Sequence, residues 1–336
     1  MLPGKVPPAI LERLVFTRLG QVDDSVILGP ELGEDASLIR IGGRVLVAST
    51  DPITGSIEDI GWLAVHINAN DVATFGVVPR WFLVSIMLPI YSTSEHIERI
   101  MNQIHGAAFQ LGVAVAGGHT EVTEGIDRPI VAGFMLGETE EGRYVTSRGA
   151  KAGDSIIVTK SIALEGTSIL ASECHSRLVS SLGEDVLKEA RSMRDLISVV
   201  KEGVSAFETG HLTAMHDPTE GGIAGGLHEL CDASGVGFEV EMDRIPLVEP
   251  TRLICDELRI NPLELISSGC MVITCNSEFD NEVVGAINSK GIKATIIGTV
   301  LADSEDRRLV SKSGSEPLAR PETDALWNAL KQTKDS

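Results

Sequence analysis

The chain has 336 residues, of which 43% are hydrophobic and 4% aromatic, and its formal net charge is −20. This length predicts about two domains that each bury a core, and the hydrophobic content excludes a disordered chain. The acidic charge argues against nucleic-acid or anionic-membrane binding as a main activity. Five scattered cysteines without CxxC spacing predict buried thiols, so we expect a cytoplasmic protein.

The first half of the chain alternates strands with helices, which predicts one α/β layer from residue 20 to 145. A capping box over Ser92–Glu95 begins the second long helix of this layer. In chain order, the other predicted elements are an amphipathic helix within 1–20, a strand within 22–28, a hairpin of 37–41 and 44–49, a helix from 60 to 76, and strands at 81–88, 111–116 and 130–137.

A polar, glycine-bearing segment at 148–153 predicts the domain boundary. The second half then predicts strands at 156–159, 237–242, 271–275 and 295–300, a polar helical region over 183–209, and a helix that opens after 215–222. We therefore predict an N-terminal domain over 1–148, a C-terminal domain over 149–310 and a polar tail over 311–336, and we expect the chain from Asp303 onwards to be peripheral.

One stretch, His66–Pro79, carries the strongest chemical signal in the first half. Its helix has an apolar face, and Gly76 and Pro79 end it. Asn68, Asn70 and Asp71 nevertheless place three oxygen-bearing side chains in the last turns. Carboxylate and amide oxygens suit Mg²⁺, whereas the ordinary alternative is a solvated helix end whose polar side chains cap loops. This stretch alone leaves both interpretations open.

Four aspartates share one kind of context, because each lies where an ordered element meets a turn containing Gly, Ser or Thr. They are Asp35, Asp51, Asp71 and Asp217. A turn or cap role is the commoner explanation for any single one, but their recurrence favours carboxylates that hold Mg²⁺ against a triphosphate.

The segment from Asp217 to Gly222 supports two interpretations that are compatible. Asp217 followed by Pro218 and Glu220 predicts a helix N-cap with a capping-box partner. The Gly221-Gly222 pair leaves backbone N–H groups that suit an anion at a helix start.

Further candidates are weaker when taken singly. Gly117-Gly118 after a predicted buried strand would let a ligand approach the backbone, but such a pair is more often a turn. His119 is a general base, a ligand or a hydrogen-bonded polar residue. Lys160 is a phosphate contact or an ordinary surface lysine. The chain contains neither GxxxxGK[ST] nor GxGxxG, so P-loop and Rossmann folds have no motif behind them.

As an ordered set, five short motifs resemble the AIR synthase superfamily, also called PurM-like, from about residue 20 to 300. The motifs lie at 33–37, 49–51, 70–79, 117–121 and 216–222. Within the superfamily, Asn-Asp-x-Ala and Asp-Pro-Thr-x-Gly-Gly most resemble the HypE group of hydrogenase-maturation proteins. The resemblance implies an α/β (α+β) fold of two domains, in which N-terminal halves pair in a homodimer to form a β-barrel.

The resemblance also implies MgATP bound in a cleft, phosphate transfer to a carbonyl-type oxygen, and release of ADP. We assign the roles as follows: catalytic Asp71, Asp217 and His119; metal-binding Asp35, Asp51 and Asp71; and nucleotide-binding Gly117, Gly118, Thr120, Lys160, Thr219, Gly221 and Gly222. We expect a small-molecule or protein-borne acceptor as the partner, and neither a nucleic acid nor a membrane.

Several departures from the family pattern qualify this expectation. HypE-type proteins end in a cysteine that carries the group being dehydrated, whereas the last cysteine here is Cys275, so we expect no activity on the protein's own tail. His119 replaces an acid of many relatives, for which Glu121 is a candidate substitute, and Glu220 replaces an arginine. The absence of cysteine before residue 174 disfavours a selenophosphate synthetase.

Two functions therefore remain after sequence analysis. The first is an ATP-dependent enzyme acting on an amide, carboxylate or phosphate acceptor. The second is a non-catalytic nucleotide-binding or hydrogenase-maturation scaffold that keeps the cleft but lacks the acceptor chemistry.

Overall fold

The computed structural model describes residues 4–54 and 58–334. These residues divide into two compact units. The N-terminal unit comprises Asp23–Gly29 and Asp35–Tyr144, and the C-terminal unit comprises Met1–Val22, Pro30–Glu34 and Val145–Ser336. No helix in the described part of the chain has the length and apolar character needed to cross a membrane.

The first half of the chain follows the predicted alternation of strands and helices. A helical turn, α1 (Pro8–Ile10), continues as a π-helical turn over Leu11–Val15, in place of the longer amphipathic helix that we expected. The elements that follow are β1 (Val26–Leu28), β2 (Ser37–Ile41), β3 (Arg44–Ile53), α2 (Ile60–Ala73), β4 (Pro79–Leu88), α3 (Ser94–Leu111), β5 (Ala114–Val122) and β6 (Ile130–Glu140).

In the N-terminal unit, the described strands form one open sheet in the order β1-β2-β3-β6-β4-β5. Neighbouring strands are antiparallel except β4 and β5, which are parallel because α3 connects them. Alternate residues of β4 are buried, as expected for a strand with one face on the core. Helix α2 packs on β3, β6 and α3, so it is covered by protein on several sides.

Three local predictions in this unit need correction. Strand β5 does not stop at Gly117 and is not buried, since it continues to Val122 and all nine of its residues are exposed at the sheet edge. Strand β3 continues past Ser49 and includes Asp51. The capping pair of α3 is Thr93 and His96, because the Thr93 N–H donates to His96 Nδ1 at 3.1 Å.

The C-terminal unit is a second layered assembly of strands and helices. Its elements are β7 (Ser155–Thr159), α4 (Leu164–Glu173), α5 (His175–Leu182), α6 (Glu184–Ser192), α7 (Val200–Phe207), β8 (Leu212–His216), α8 (Gly222–Ser234), β9 (Gly237–Glu241), α9 (Glu249–Leu258), β10 (Val272–Cys275), α10 (Asp280–Asn288), β11 (Ala294–Leu301), β12 (Arg307–Ser311), β13 (Gly314–Pro317) and α11 (Ala325–Lys334).

Among the described residues of this unit, the strands form a sheet in the order β13-β12-β9-β11-β7-β10-β8. Strand β7 is buried throughout, because its alternate side chains enter two separate hydrophobic clusters. Ile156 and Val158 belong to one cluster, and Ile157 belongs to the other. Helices therefore cover both faces of the sheet, which explains the continuous apolar run at 156–158.

The tail after Asp303 is not peripheral, contrary to our expectation. It supplies β12, β13 and α11, and the α11 residues Ala325, Leu326 and Ala329 are buried in the larger cluster of the C-terminal unit. The polar composition of the tail hid this role, because only one face of α11 enters the core. All five cysteines are buried, as the sequence predicted, and none forms a disulfide bond.

Candidate functional site

Asn68 joins helix α2 to the segment of β3 that carries Asp51. Its Oδ1 accepts the Asp51 N–H at 2.8 Å, and its Nδ2 donates to the carbonyls of Asp51 and Ala64. The Ser49 hydroxyl completes the junction by donating to the Asn68 carbonyl at 3.0 Å. Gly133 lies opposite Asp51 on β6, where any Cβ would collide with the Asn68 amide. The backbone beside Asp51 is thus held by specific hydrogen bonds.

The polar residues of α2 are buried rather than solvated. Asn68 and Asn70 have no exposed surface, and Asp71 is 5% exposed. The Thr74 hydroxyl donates to the Asp71 carbonyl at 2.7 Å, and Gly76 ends the turn with a φ of 73° as predicted. The alternative of a solvated helix end is therefore wrong. A buried carboxylate must be hydrogen-bonded, paired or bound to a cation, so Asp71 is a candidate metal ligand of this unit.

The three predicted metal-binding aspartates lie on separate elements of the N-terminal unit. Asp35 precedes β2, Asp51 is in β3, and Asp71 is near the end of α2. Among the described residues, these three carboxylates do not place one oxygen each within 4.8 Å of one another. Mg²⁺ usually takes one or two protein carboxylates and fills its shell with water and phosphate oxygens.

Strand β5 carries four of the predicted site residues on an exposed edge. Gly117, Gly118, His119 and Thr120 follow one another in it. Gly118 must be glycine, because its φ is 156° and a Cβ would collide with the Val84 carbonyl of β4. Gly118 therefore makes a close strand contact, and the glycine pair lies within a strand and not in a turn.

His119 lies beside Glu121, the candidate substitute for the acid that His119 replaces. His119 Nε2 is 3.2 Å from Glu121 Oε2, and the Thr123 hydroxyl donates to the other Glu121 oxygen at 2.7 Å. These two hydrogen bonds lower the pKa of Glu121 below its ordinary value, and the bond from Thr123 has the larger effect. An ionised carboxylate and an imidazole are thus presented together on the exposed strand.

The segment Asp217–Gly222 does not begin its helix as predicted. Helix α8 starts at Gly222, its N-cap is Gly221 with a φ of 84°, and Asp217 lies upstream of both. Gly222 also has a positive φ, and a Cβ there would lie 2.5 Å from the Leu263 carbonyl oxygen. Gly222 lies in a sharp turn that leaves no room for a side chain. Asp217 lies in the loop before this turn, and only 1% of its surface is exposed. The N-cap assignment of Asp217 is therefore wrong.

The predicted anion position at the start of α8 already has an acceptor from the protein. Gly221 donates its N–H to Asp324 Oδ2 at 2.6 Å, and Gly222 donates its N–H to the Thr219 carbonyl at 3.0 Å. Sequence analysis missed Asp324 because it lies 103 residues further along the chain. The only local signal was an aspartate just before an apolar helical run, which is a common N-cap pattern.

Another polar group that sequence analysis missed lies next to this segment. His216 Nε2 is 2.9 Å from Glu229 Oε2, and Lys5 Nζ is 3.2 Å from Glu229 Oε1. Burial alone would raise the pKa of Glu229, but the charge of Lys5 and the contact with His216 outweigh it and hold this pKa far below its ordinary range. Glu229 is therefore an ionised acid that orients His216.

Lys160 has partners inside the C-terminal unit. Its ammonium lies 2.5 Å from Glu202 Oε1 and donates to the Ser198 carbonyl at 2.6 Å. Burial lowers the pKa of Lys160 more than Glu202 raises it. The ordinary alternative of a surface lysine is wrong, and a phosphate contact by Lys160 stays a prediction that would require this buried pair to open.

Comparison with known protein families identifies both halves of the chain. Residues 33–139 match the family described as AIR synthase related protein, N-terminal domain. Residues 151–311 match the family described as AIR synthase related protein, C-terminal domain.

Three relatives illustrate the range of the family. A putative hydrogenase expression/formation protein of Methanocaldococcus jannaschii is 27% identical, with 94% of this chain and 96% of the relative covered. The carbamoyl dehydratase HypE of Azotobacter vinelandii is 30% identical over 78% of this chain and 76% of its own. The thiamine-monophosphate kinase of Archaeoglobus fulgidus is 29% identical over 82% of this chain and 89% of its own.

Solved structures show the same fold. The HypE–HypF complex aligns with a TM-score of 0.78 at 22% identity and covers 93% of this chain and 100% of that chain. The hydrogenase maturation protein HypE in complex with ATP aligns with a TM-score of 0.70 at 22% identity. The alignment covers 96% of this chain and 97% of that chain. The PurM-like α/β fold expected from the motifs is thus confirmed, with an open sheet in the described N-terminal unit.

Proposed function

This chain belongs to the AIR synthase-related family, and we propose that it is an enzyme that uses MgATP to phosphorylate an amide, carboxylate or phosphate acceptor, with release of ADP. The observation that carries the proposal is the burial of Asp71 at the end of α2, together with the Asn68 hydrogen bonds that fix the strand bearing Asp51. A buried carboxylate is stable when it is hydrogen-bonded, paired or bound to a cation, and its oxygens are ligands that suit Mg²⁺.

Apart from Lys160, each predicted residue has a definite task in this proposal. Asp35, Asp51 and Asp71 supply oxygen ligands for Mg²⁺, which fits the hard-cation character of the donor set. When bound, Mg²⁺ neutralises charge on the transferring phosphate. Asn68 holds the backbone of Asp51 in place, so that its carboxylate is oriented before nucleotide binds. In the N-terminal unit, Gly117, Gly118 and Thr120 on β5 are the residues that we assign to the nucleotide. In the C-terminal unit, Thr219, Gly221 and Gly222 are those that we assign to phosphate.

Asp217 and His119 are the candidates for handling the acceptor. Asp217 is buried in the loop before α8, next to His216, whose ring Glu229 orients. His119 is exposed on β5 and paired with Glu121, which would let it take a proton from an acceptor. Positioning and charge neutralisation supply most of the catalysis in such phosphoryl transfers.

The named relatives support this reaction class. The relative from Azotobacter vinelandii is a carbamoyl dehydratase, the one from Archaeoglobus fulgidus is a thiamine-monophosphate kinase, and one solved HypE binds ATP. Phosphorylating an amide oxygen makes it a leaving group for dehydration, and phosphorylating a phosphate is a kinase reaction. One MgATP site accommodates both outcomes, and the acceptor decides between them.

We further propose a cytoplasmic homodimer. The exposed edge strand β5 leaves backbone N–H and C=O groups available for pairing, and Val115 and Val122 expose apolar surface on it. Pairing of two such sheets would give the β-barrel that the resemblance implies. Five buried cysteines that form no disulfide bond fit a reducing compartment.

A non-catalytic scaffold is the second candidate, and Glu220 favours it. This acid accepts the Lys5 N–H at 2.7 Å and brings negative charge to the segment that we assign to phosphate. The solved HypE–HypF complex shows that a relative binds a protein partner. Under this alternative, MgATP binds but no ADP forms with any acceptor.

The deciding experiment measures ADP release with thiamine monophosphate and with a carboxamide-bearing peptide as acceptors. We expect turnover in the wild type and in Asp127→Asn, whose side chain is 98% exposed in the same unit. Asp71→Asn should lose about 100-fold or more, since even residues that only support metal ligands cost about 10- to 100-fold. Undiminished turnover in Asp71→Asn would overturn the proposal, whereas MgATP binding without ADP from either acceptor would favour the scaffold.

A further inference from the structure

Asp324, at the start of the C-terminal helix α11, contacts two chain segments that are distant in sequence. Its Oδ1 accepts the Leu326 N–H at 2.8 Å, which makes it the N-cap of its own helix. Its Oδ2 accepts the Gly221 N–H at 2.6 Å, and the backbone of Ile266 provides a third hydrogen bond. One carboxylate thus joins the start of α11, the loop before β10 and the start of α8.

The stretch of chain that includes Leu263 and Ser267 also contacts the Asp217–Gly222 segment. The Ser267 N–H donates to the Thr219 carbonyl at 3.3 Å, and the Leu263 carbonyl blocks any side chain at Gly222. Asp324 is 3% exposed, so water does not compete for its hydrogen bonds. The conformation of the segment therefore depends on a residue that our sequence analysis placed in a peripheral tail.

We infer that Asp324 is a positioning residue, which holds the Asp217–Gly222 segment in the conformation that receives the phosphates of the nucleotide. This inference rests on the proposed function for its consequence and on the hydrogen bonds for its mechanism. In this role Asp324 acts through the Gly221 peptide, whose N–H it accepts. Gly221 and Gly222 both have positive φ angles, so the turn that follows the loop residues depends on this peptide.

The charges around Asp324 explain why its carboxylate must use backbone donors. The acids Glu165 and Glu220 face it, and no cation partner for it is found among the described residues. Burial, and to a smaller extent Glu220, raises the pKa of Asp324 to about 6, although the three backbone N–H groups oppose this rise. The hydrogen bonds are thus its principal stabilisation, and removing its charge weakens its hold on Gly221.

The test separates positioning from simple support of the fold. Asp324→Asn keeps the volume, and its single acceptor oxygen cannot serve both Leu326 and Gly221. Asp324→Ser keeps a good N-cap for α11 but is too short to reach Gly221. Leu326→Ala is the matched control, because it removes a core side chain of the same helix and leaves the carboxylate in place.

Hydrogen exchange of the nucleotide-free protein is the first readout. We expect backbone amides of the segment 217–222 to exchange about tenfold faster in Asp324→Asn or Asp324→Ser than in the wild type, with much less change in Leu326→Ala. Equal exchange in the Asp324 variants and the wild type, or an equal increase in Leu326→Ala, would overturn the inference. Should Asp324→Asn fail to fold, Asp324→Ser decides.

Titration with MgATP is the second readout, and it reports the consequence. We expect the Kd to rise about tenfold in the Asp324 variants while Leu326→Ala binds as the wild type does. A Kd that follows thermal stability across all three variants would show structural support only and overturn the positioning role. If the wild type itself does not bind MgATP, the proposed function fails, and the exchange experiment still decides how Asp324 acts on the segment.

Discussion

Two groups of buried polar side chains, one in each unit, are fixed in opposite ways. In the N-terminal unit, the neutral amide of Asn68 both donates to and accepts from its neighbours, so the junction of α2 and β3 carries no net charge of its own. In the C-terminal unit, Asp324 and Glu165 are carboxyls held without a cation partner among the described residues. The contribution of the first arrangement to the free energy of unfolding does not depend on pH. The contribution of the second falls when its carboxyl groups ionise.

Glu165→Gln should produce the largest effect on stability. Burial, chiefly, raises the pKa of Glu165 to about 7, and the charges of Asp324 and Glu220 add to the rise, while Ser268 opposes it. Because the folded pKa exceeds the unfolded one, the contribution to stability is full below about pH 4.5 and is lost as pH rises through about 7. Replacing the acid by a neutral amide should therefore stabilise the protein by up to about 3 kcal/mol at pH 8 and by little at pH 4.5.

Urea unfolding of this variant at the two pH values is the appropriate measurement. Glu173→Gln is the control, since Glu173 lies on the same helix α4 but is exposed. If the stability difference between Glu165→Gln and the wild type did not change with pH, the pKa of Glu165 would not be raised in the folded protein.

Gly222→Ala should destabilise the C-terminal unit by about 2 kcal/mol or more. The residue has a φ of 63°, and the added Cβ would lie 2.5 Å from a backbone carbonyl oxygen that cannot move aside. Gly285→Ala in helix α10 is the control, because a Cβ there meets nothing within 4 Å and alanine favours a helix by about 0.5–1 kcal/mol. Thermal unfolding measures both, and a Gly222→Ala protein as stable as the wild type would contradict the described turn.

Asn68→Ala should cost about 1–3 kcal/mol of unfolding free energy, because it leaves the Asp51 N–H and C=O without their amide partner. This cost should be the same at pH 5 and pH 8, in contrast to that of Glu165. Guanidinium unfolding at both values is the check. A marked pH dependence would mean that ionisable groups, rather than the amide, hold this junction.

The same contrast explains how far the sequence could be interpreted. The spacing of apolar residues and Gly76 predicted α2 well, and three polar side chains inside an apolar helix marked it as unusual. The role of Asp324 could not be predicted in this way, because its partner Gly221 is distant in sequence and no pattern links them. Strand β5 was predicted to stop at Gly117 because glycine pairs usually mark turns, but Gly118 allows a close contact with the neighbouring strand.

Calorimetric titration with ATP, with and without Mg²⁺, tests the central claim most directly. The wild type and Asp127→Asn should bind ATP with heat that requires Mg²⁺, and Asp71→Asn should lose that requirement together with most of the affinity. This outcome would identify the buried carboxylate of α2 as a ligand of the nucleotide-bound metal. Mg²⁺-dependent binding to Asp71→Asn with the wild-type Kd would contradict the account.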